Sequence, residues 1–186
     1  MSKRLFLAIP LKAGLLLNKQ KAFLESNLKE EKVNWVKQEN MHLTLFFIGK
    51  TASVRIPGII EAIKSTTENA SSFSLILERI GIFGSDYHAR VIWVGVRENH
   101  FLLNLQKSLV LAFEKIGFLS DRQNFVPHFT LGRIYQIIHK DHFKRVLERT
   151  EKGFVQESAV DTLVLYESIL TPDGPIYIEI ERFNLK

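Results

Sequence analysis

Two short runs carry the residue types that acid–base chemistry needs: Met41-His42-Leu43-Thr44-Leu45-Phe46-Phe47-Ile48-Gly49 and Phe125-Val126-Pro127-His128-Phe129-Thr130-Leu131-Gly132-Arg133. Both read as strands, in which successive side chains point to opposite faces, so His42 shares a face with Thr44 and His128 with Thr130. If the two strands face one another, two imidazoles and two hydroxyls converge on one small volume. One imidazole can then take a proton from water while the other gives one to a leaving oxygen, because histidine titrates nearest neutrality. Hydroxyls two residues from each histidine suit the non-bridging oxygens of a phosphate, where charge builds in the transition state. This set suffices to cleave a phosphodiester without a metal. A single His-x-Thr reads as a half-buried histidine on a threonine-bearing strand; the second copy, again followed by Leu, turns the reading towards a shared site.

Neighbouring residues suggest how a substrate is held. Arg133 has the fork geometry that suits phosphate. Strict alternation puts it on the face opposite His128, which leaves a structural ion pair or packing on the last hairpin as the alternative. Phe46 falls on the nominal face of His42 and is a candidate to stack on a base, with core packing as its alternative. Tyr166, Tyr177 and Trp35 are comparable aromatics. His139-Lys140-Asp141-His142 places two histidines and a carboxylate together, but reads as a solvated first helical turn rather than a metal site. The sequence therefore implies no metal and no cofactor. His88 and His100 read as surface residues.

The elements that position these runs follow from the patterning. Arg4 to Ile9 is an apolar strand that stops at Pro10, and residues 11 to about 31 form an amphipathic helix with a charged exit. Asn34 to Lys37 is a short strand leading into the first motif. Ile56, Ile59, Ile60 and Ile63 recur at helical spacing after Ser53, a candidate N-cap, with Pro57 in the first turn. Phe73 to Leu77, continued by Ile80 to Phe83, and Val91 to Val96 form a long hairpin across the loop that begins Gly84-Ser85-Asp86. Asn99 to Ile116 is a helix with Gly117 at its C-cap. After the second motif, His139 to Thr150 is helical. Val160 to Leu170 and Ile176 to Phe183 are strands joined by the turn Thr171-Pro172-Asp173-Gly174-Pro175.

Each half of the 186-residue chain thus supplies a His-Thr strand followed by a helix. No Pro/Gly/Ser-rich linker separates the halves, so residues 1–186 are expected to form a single domain of two lobes around a cleft. Cysteine is absent, which removes disulfides and a thiol nucleophile and fits a reducing compartment. No apolar run approaches the ~20 residues of a membrane span, and a soluble cytoplasmic protein is expected. The formal charge of +5 favours anionic partners.

At these residues the sequence resembles the two-histidine phosphoesterases, and within them the LigT-like RNA 2′,3′-cyclic phosphodiesterases, also called the 2′-5′ RNA ligase family. The hallmark is a pair of His-x-Thr-x motifs, met by His42-Leu43-Thr44-Leu45 and His128-Phe129-Thr130-Leu131. Arg4-Leu5-Phe6-Leu7-Ala8-Ile9-Pro10 is similar to the family's opening strand, and Trp35-Val36 to the approach to the first motif. Pro127 and Arg133 resemble the flanks of the second, while Tyr166-Glu167-Ser168, Gly174-Pro175-Ile176-Tyr177 and Arg182-Phe183-Asn184-Leu185 resemble the closing hairpin. The chain departs where the family carries Phe-Pro and then Pro-Arg, reading Phe83-Gly84 and Ala89-Arg90 instead.

The resemblance implies an α+β fold, bilobal and pseudo-symmetric, with two antiparallel sheets backed by helices around a central cleft. It implies hydrolysis of RNA 2′,3′-cyclic phosphate ends to a 2′-phosphate, as a step of RNA processing. His42 and His128 would be catalytic, with Thr44, Thr130, Arg133 and Phe46 binding substrate. It inclines towards His128 as base and His42 as acid, an assignment the residues themselves leave open. The expected partners are RNA ends or nucleotides bearing a 2′,3′-cyclic phosphate, with no membrane partner, and the protein is expected to be a monomer. Alternatives are a small cyclic-nucleotide phosphodiesterase or a 2′-5′ RNA ligase using the same site, or a non-catalytic RNA-binding module.

Overall fold

In the computed structural model, which describes residues 1–85, 88–119, 124–172 and 174–186, the two periodicities resolve into nine strands and four α-helices. The first half contains β1 (Ser2–Pro10), α1 (Leu15–Asn27), β2 (Lys32–Trp35), β3 (His42–Ala52), α2 (Ile56–Thr67), β4 (Phe73–Phe83) and β5 (Val91–Val96). The second contains α3 (His100–Lys115), β6 (His128–Gln136), α4 (Lys140–Glu148), β7 (Phe154–Val160), β8 (Thr162–Thr171) and β9 (Gly174–Asn184). The strands form two antiparallel sheets, in the orders β3-β1-β8-β9 and β2-β6-β5-β4-β7. The two His-Thr strands therefore lie in different sheets, and β3 approaches β6 across the space between them. This is the α+β architecture expected from the resemblance.

The apolar sides of both motif strands bind them to one continuous core. Leu43, Leu45 and Phe46 from β3 and Phe129, Leu131 and Ile134 from β6 belong to the same buried cluster as Ile59 and Ile63 of α2 and Leu102, Leu109 and Phe113 of α3. Helices α2 and α3 pack on each other, with α2 against β9 and α3 against β3, while α1 contacts β7. Gly117 takes φ +81° beyond the end of α3, as the sequence predicts, and at its start the structure adds a cap, Asn99 accepting the Leu102 N–H at 2.9 Å.

Several boundaries differ from expectation for identifiable reasons. α1 spans only Leu15–Asn27, because the charged exit turns away towards β2. Ser53 opens a 3-10 turn, and Arg55 occupies the N-cap of α2 with Pro57 in the first turn. The strand expected from Val160 is divided at Asp161: β7 belongs to one sheet and β8 to the other. β7 is an edge strand that buries only Val155 and Val160, so its sequence carries little apolar alternation to read. The hairpin of β4 and β5 forms with Phe83 opposite Val91. In its loop, Asp86 lies outside the described residues. Gly84 takes φ +104°, where an added Cβ would run into the His88 carbonyl oxygen, so glycine is required in place of proline's fixed negative φ. In the turn between β8 and β9, Asp173 also lies outside the described residues. No helix among the described residues is long and apolar enough to cross a membrane.

Candidate active site

Each histidine is held by the same local device. The Nδ1 of His42 lies 2.7 Å from the Asn40 carbonyl, and that of His128 lies 2.7 Å from the Val126 carbonyl, in both cases two residues upstream. A carbonyl only accepts, so Nδ1–H donates in both rings, and the neutral tautomer leaves Nε2 bare as the group that exchanges protons. A 3-10 turn, Gln38–Asn40, sets the first carbonyl; Pro127 restricts Val126 to extended backbone and sets the second. Asn40 also donates from Nδ2 to the Pro175 carbonyl at 3.2 Å, which ties the first histidine to the tip of the β8–β9 hairpin.

The register of the strands fixes what shares the reactive faces. Along β3, Pro10 of β1 pairs with His42, Ala8 with Thr44 and Phe6 with Phe47, the register shifting between Leu7 and Ala8. Directly opposed residues lie on one face, so His42, Thr44 and Phe47 point the same way and Leu45 is the extra residue of a bulge. Along β6, Gly95 of β5 pairs with His128, Trp93 with Thr130 and Val91 with Arg133, with a shift between Ile92 and Trp93. Here Leu131 is the extra residue, and His128, Thr130 and Arg133 share a face.

These bulges correct two expectations. Phe46 is not a stacking residue: it lies on the core face, 5% exposed, with its ring 4.4 Å from that of Phe113. Strict alternation assigned it to the wrong side because the bulge at Leu45 inverts the phase of the strand beyond Thr44. The same inversion brings Arg133 onto the face of His128, where alternation alone had excluded it. Thr44 and Thr130, which precede the bulges, are half-buried on the faces where the pattern placed them.

The surroundings of the two histidines differ. His42 sits in an aromatic box, its ring centroid 4.9 Å from Phe6 and 5.2 Å from Tyr177, with Tyr166 at 6.4 Å. His128 meets the edge of Phe83 at 4.7 Å. Burial pushes the His42 pKa down to about 4, reinforced by the positive charges of Arg133 and His128 and opposed by the Asn40 carbonyl. Burial also lowers His128, with Arg133 adding to the effect and the Val126 carbonyl opposing it. Arg133 acts on both imidazoles and on the Tyr177 hydroxyl, so its charge is felt from both halves of the cleft. The two sheets therefore bring His42, His128 and Arg133 into one electrostatic neighbourhood with Thr44 and Thr130 on the same faces.

Other candidates separate. Tyr166 and Tyr177 join the first half-site, whereas Trp35 pairs with Gly132 on the opposite face, where an added Cβ would lie 2.9 Å from the indole. His139 and His142 serve the junction of α1 and α4: Glu31 accepts the N–H groups of Ile138 and His139, and His142 Nε2 lies 2.8 Å from the Asn27 carbonyl. Among the described residues no group of three or more His, Asp or Glu side chains is arranged to hold a metal ion. Sequence reasoning missed Phe6, Phe47 and Phe83. Each lies in an apolar strand, and only the bulges and cross-strand pairing show which aromatic faces the cleft.

Comparison with known proteins bears on the family and the fold. Residues 9–93 match the family model described as LigT like Phosphoesterase. The RNA 2′,3′-cyclic phosphodiesterase of Methanothermobacter thermautotrophicus is 32% identical over 187 residues, covering all of both chains. The protein of that name from Thermotoga maritima is 37% identical over 143 residues, covering 77% of this chain and 74% of its own. Among solved structures, TT0787 of Thermus thermophilus superposes with a TM-score of 0.78 at 25% identity, covering 98% of this chain and 97% of that one. LigT of E. coli, complexed with 3′-AMP, shares the fold with a TM-score of 0.74 at 23% identity, over 100% and 99% of the two chains. With an end-to-end relative above 30% identity and the paired motifs in opposed sheets, the chain belongs to the LigT-like phosphoesterase family.

Proposed function

We propose that the protein hydrolyses RNA 2′,3′-cyclic phosphate ends to 2′-phosphates without a metal, using His42 and His128 as paired acid and base. The observation that carries this reading is the matched Nδ1–H to carbonyl bond of both rings, which leaves two bare Nε2 atoms on the faces that carry Thr44, Thr130 and Arg133. One Nε2 takes a proton from water as its oxygen attacks phosphorus. The other, protonated, gives its proton to the 3′ oxygen as the P–O3′ bond breaks, leaving the phosphate on O2′ and a free 3′ hydroxyl. The hydroxyls of Thr44 and Thr130 donate to the non-bridging oxygens, and Arg133 balances their charge.

The family resemblance inclines towards His128 as base and His42 as acid, and the relatives' names support RNA ends as the substrate. Since burial leaves His42 neutral before substrate binds, the phosphate anion must favour its protonated form, as a nearby opposite charge does. We infer that residues 1–186 act as one domain, since both motif strands pack into one core, and that a monomer suffices for the site, since one polypeptide supplies both motifs. The test is turnover of an RNA ending in a 2′,3′-cyclic phosphate with EDTA present, the product being identified as 2′- or 3′-phosphate. Loss of activity to EDTA, or activity that survives the double substitution His42→Ala and His128→Ala, overturns the mechanism.

A further inference from the structure

Arg79 is the one non-glycine residue among those described whose backbone is left-handed, at φ +48°. L side chains adopt that region only under constraint, and residues so held gather at working sites. The Arg79 N–H donates to the Gly153 carbonyl at 2.9 Å and the Ile80 N–H to that of Glu151 at 3.1 Å, which pins the bulge that makes Arg79 the extra residue of β4 opposite β5. Its side chain crosses the cleft face of the second sheet. There Thr130, Trp93 and Gly81 stand in one row across β6, β5 and β4, and His128, Gly95 and Glu78 in the next. The Trp93 indole lies across this face because the two glycines make room for it: a Cβ on Gly81 would meet the ring at 2.6 Å and one on Gly95 at 3.0 Å. The indole N–H is buried and finds no acceptor among the described residues, so shape rather than hydrogen bonding lays the ring there. The Arg79 guanidinium stands over it, 5.8 Å from the ring centroid.

Arg79 is exposed, and no carboxylate among the described residues pairs with it; the neighbouring Glu78 is bonded instead to Arg97 at 2.8 Å. The charge felt by both imidazoles is that of Arg133, which leaves Arg79 without a task at the reacting phosphate. Its strand lies two spacings from β6, roughly 10 Å, on the face that carries His128 and Thr130. We propose that Arg79, seated on Trp93, is a subsite for the internucleotide phosphate that precedes the cyclic end, so that the enzyme grips an RNA strand by two phosphates. A guanidinium suits both contacts, stacking on the indole with its plane and offering its edge to phosphate oxygens. The inference rests on the proposed phosphodiesterase function and deepens it, naming an oligonucleotide rather than a mononucleotide as the better substrate. Arg79 takes no part in proton transfer, so its loss raises KM and leaves kcat in place.

The test compares kcat and KM of wild type, Arg79→Gly and Arg79→Lys on three substrates. One is a nucleoside 2′,3′-cyclic phosphate with a free 5′ hydroxyl; one is a dinucleotide with the same cyclic end and a 2′-deoxy upstream sugar; the third is that dinucleotide with a neutral methylphosphonate as its linkage. Glycine accepts φ +48° freely, so Arg79→Gly removes the charge and keeps the bulge. On the phosphate-linked dinucleotide its kcat/KM is expected to fall roughly tenfold through KM, as for a lost charge-assisted contact, with Arg79→Lys recovering part. On the other two substrates it should match wild type. The slope of log kcat/KM against log salt should flatten by about 0.7 for the phosphate-linked dinucleotide, the counterion release of one single-strand phosphate contact. Equal losses on all three substrates, no loss on the phosphate-linked one, or wild-type turnover of the mononucleotide alone overturns the subsite while leaving the phosphodiesterase intact. A wild type that turns over none of the three overturns the phosphodiesterase reading and this inference with it.

Discussion

The two halves of the cleft are built alike at the backbone and unlike in their side chains. In both, Nδ1 of a histidine bonds to the carbonyl two residues upstream, a threonine follows on the same face, a bulge falls on the next residue and the position two beyond the bulge returns to the cleft. That returning position is Phe47 in one half and Arg133 in the other. His42 is boxed by Phe6 and Tyr177, whereas His128 meets Phe83 edge-on. A repeated backbone device therefore places the reacting groups, and its side chains divide the remaining work into a dry aromatic half and a cationic half. The division also separates the imidazoles electrostatically, since desolvation is strongest around His42.

The largest expected effect comes from breaking the device itself. His42→Ala and His128→Ala should each lower kcat by roughly 10²–10⁴, and the double variant by much less than the product of the two losses. A better leaving group distinguishes the halves: an ester of 4-nitrophenol, which leaves without a proton, should restore much of the activity of the variant lacking the acid and none of the variant lacking the base. Restoration in His42→Ala alone supports the proposed roles, whereas restoration in His128→Ala alone reverses them.

The bulge offers a second comparison, between adjacent phenylalanines. Phe46→Ala removes a ring packed on Phe113 in the core and should cost about 3–5 kcal/mol in denaturant unfolding. Phe47→Ala, on the exposed side, should stay within about 0.5 kcal/mol. Similar losses at the two positions would contradict the register that places them on opposite faces.

The same bulges mark the limit of what the sequence discloses. Period-2 alternation finds His42, Thr44, His128 and Thr130, because each pair lies upstream of its bulge. It then misplaces Phe46 and Arg133, because a bulge leaves no composition signal and inverts every face beyond it. Helix α3 was legible from Leu102, Leu105 and Leu109 together with the Gly117 cap. β7 was not, since an edge strand with two buried residues has almost no pattern to show. The aromatic box depends on pairings such as Phe6 with Tyr166 and Ser168 with Tyr177, between residues distant in the chain. Long-range pairing of this kind is a property of topology, which the resemblance supplied and local patterning did not.

Arg133→Gln tests the cationic half. Losing a charge-assisted contact to phosphate should raise KM about tenfold, with Arg133→Lys recovering part of it. A KM unchanged in Arg133→Gln would remove Arg133 from the phosphate site despite its place beside His128.

The smallest expected effect is a movement of the pH profile, and it probes how the two halves are coupled. Catalysis needs one imidazole protonated and the other neutral, so kcat/KM follows the singly protonated pair and is bounded by the pair's two apparent pKa values in the free enzyme. Both histidines titrate below the ordinary 6.5, His42 near 4. The maximum of kcat/KM should therefore lie on the acid side of 6.5, and the alkaline limb should fall about tenfold per pH unit through neutrality as the last proton is lost. Arg133 depresses both imidazoles by repelling their charged forms. Replacing it with Gln removes that repulsion, so the alkaline limb must move to higher pH, while Arg133→Lys, which keeps the charge, should leave it nearly in place. A limb already above pH 7.5 in the wild type, or one that moves down in Arg133→Gln, would show that the two half-sites do not share this charge.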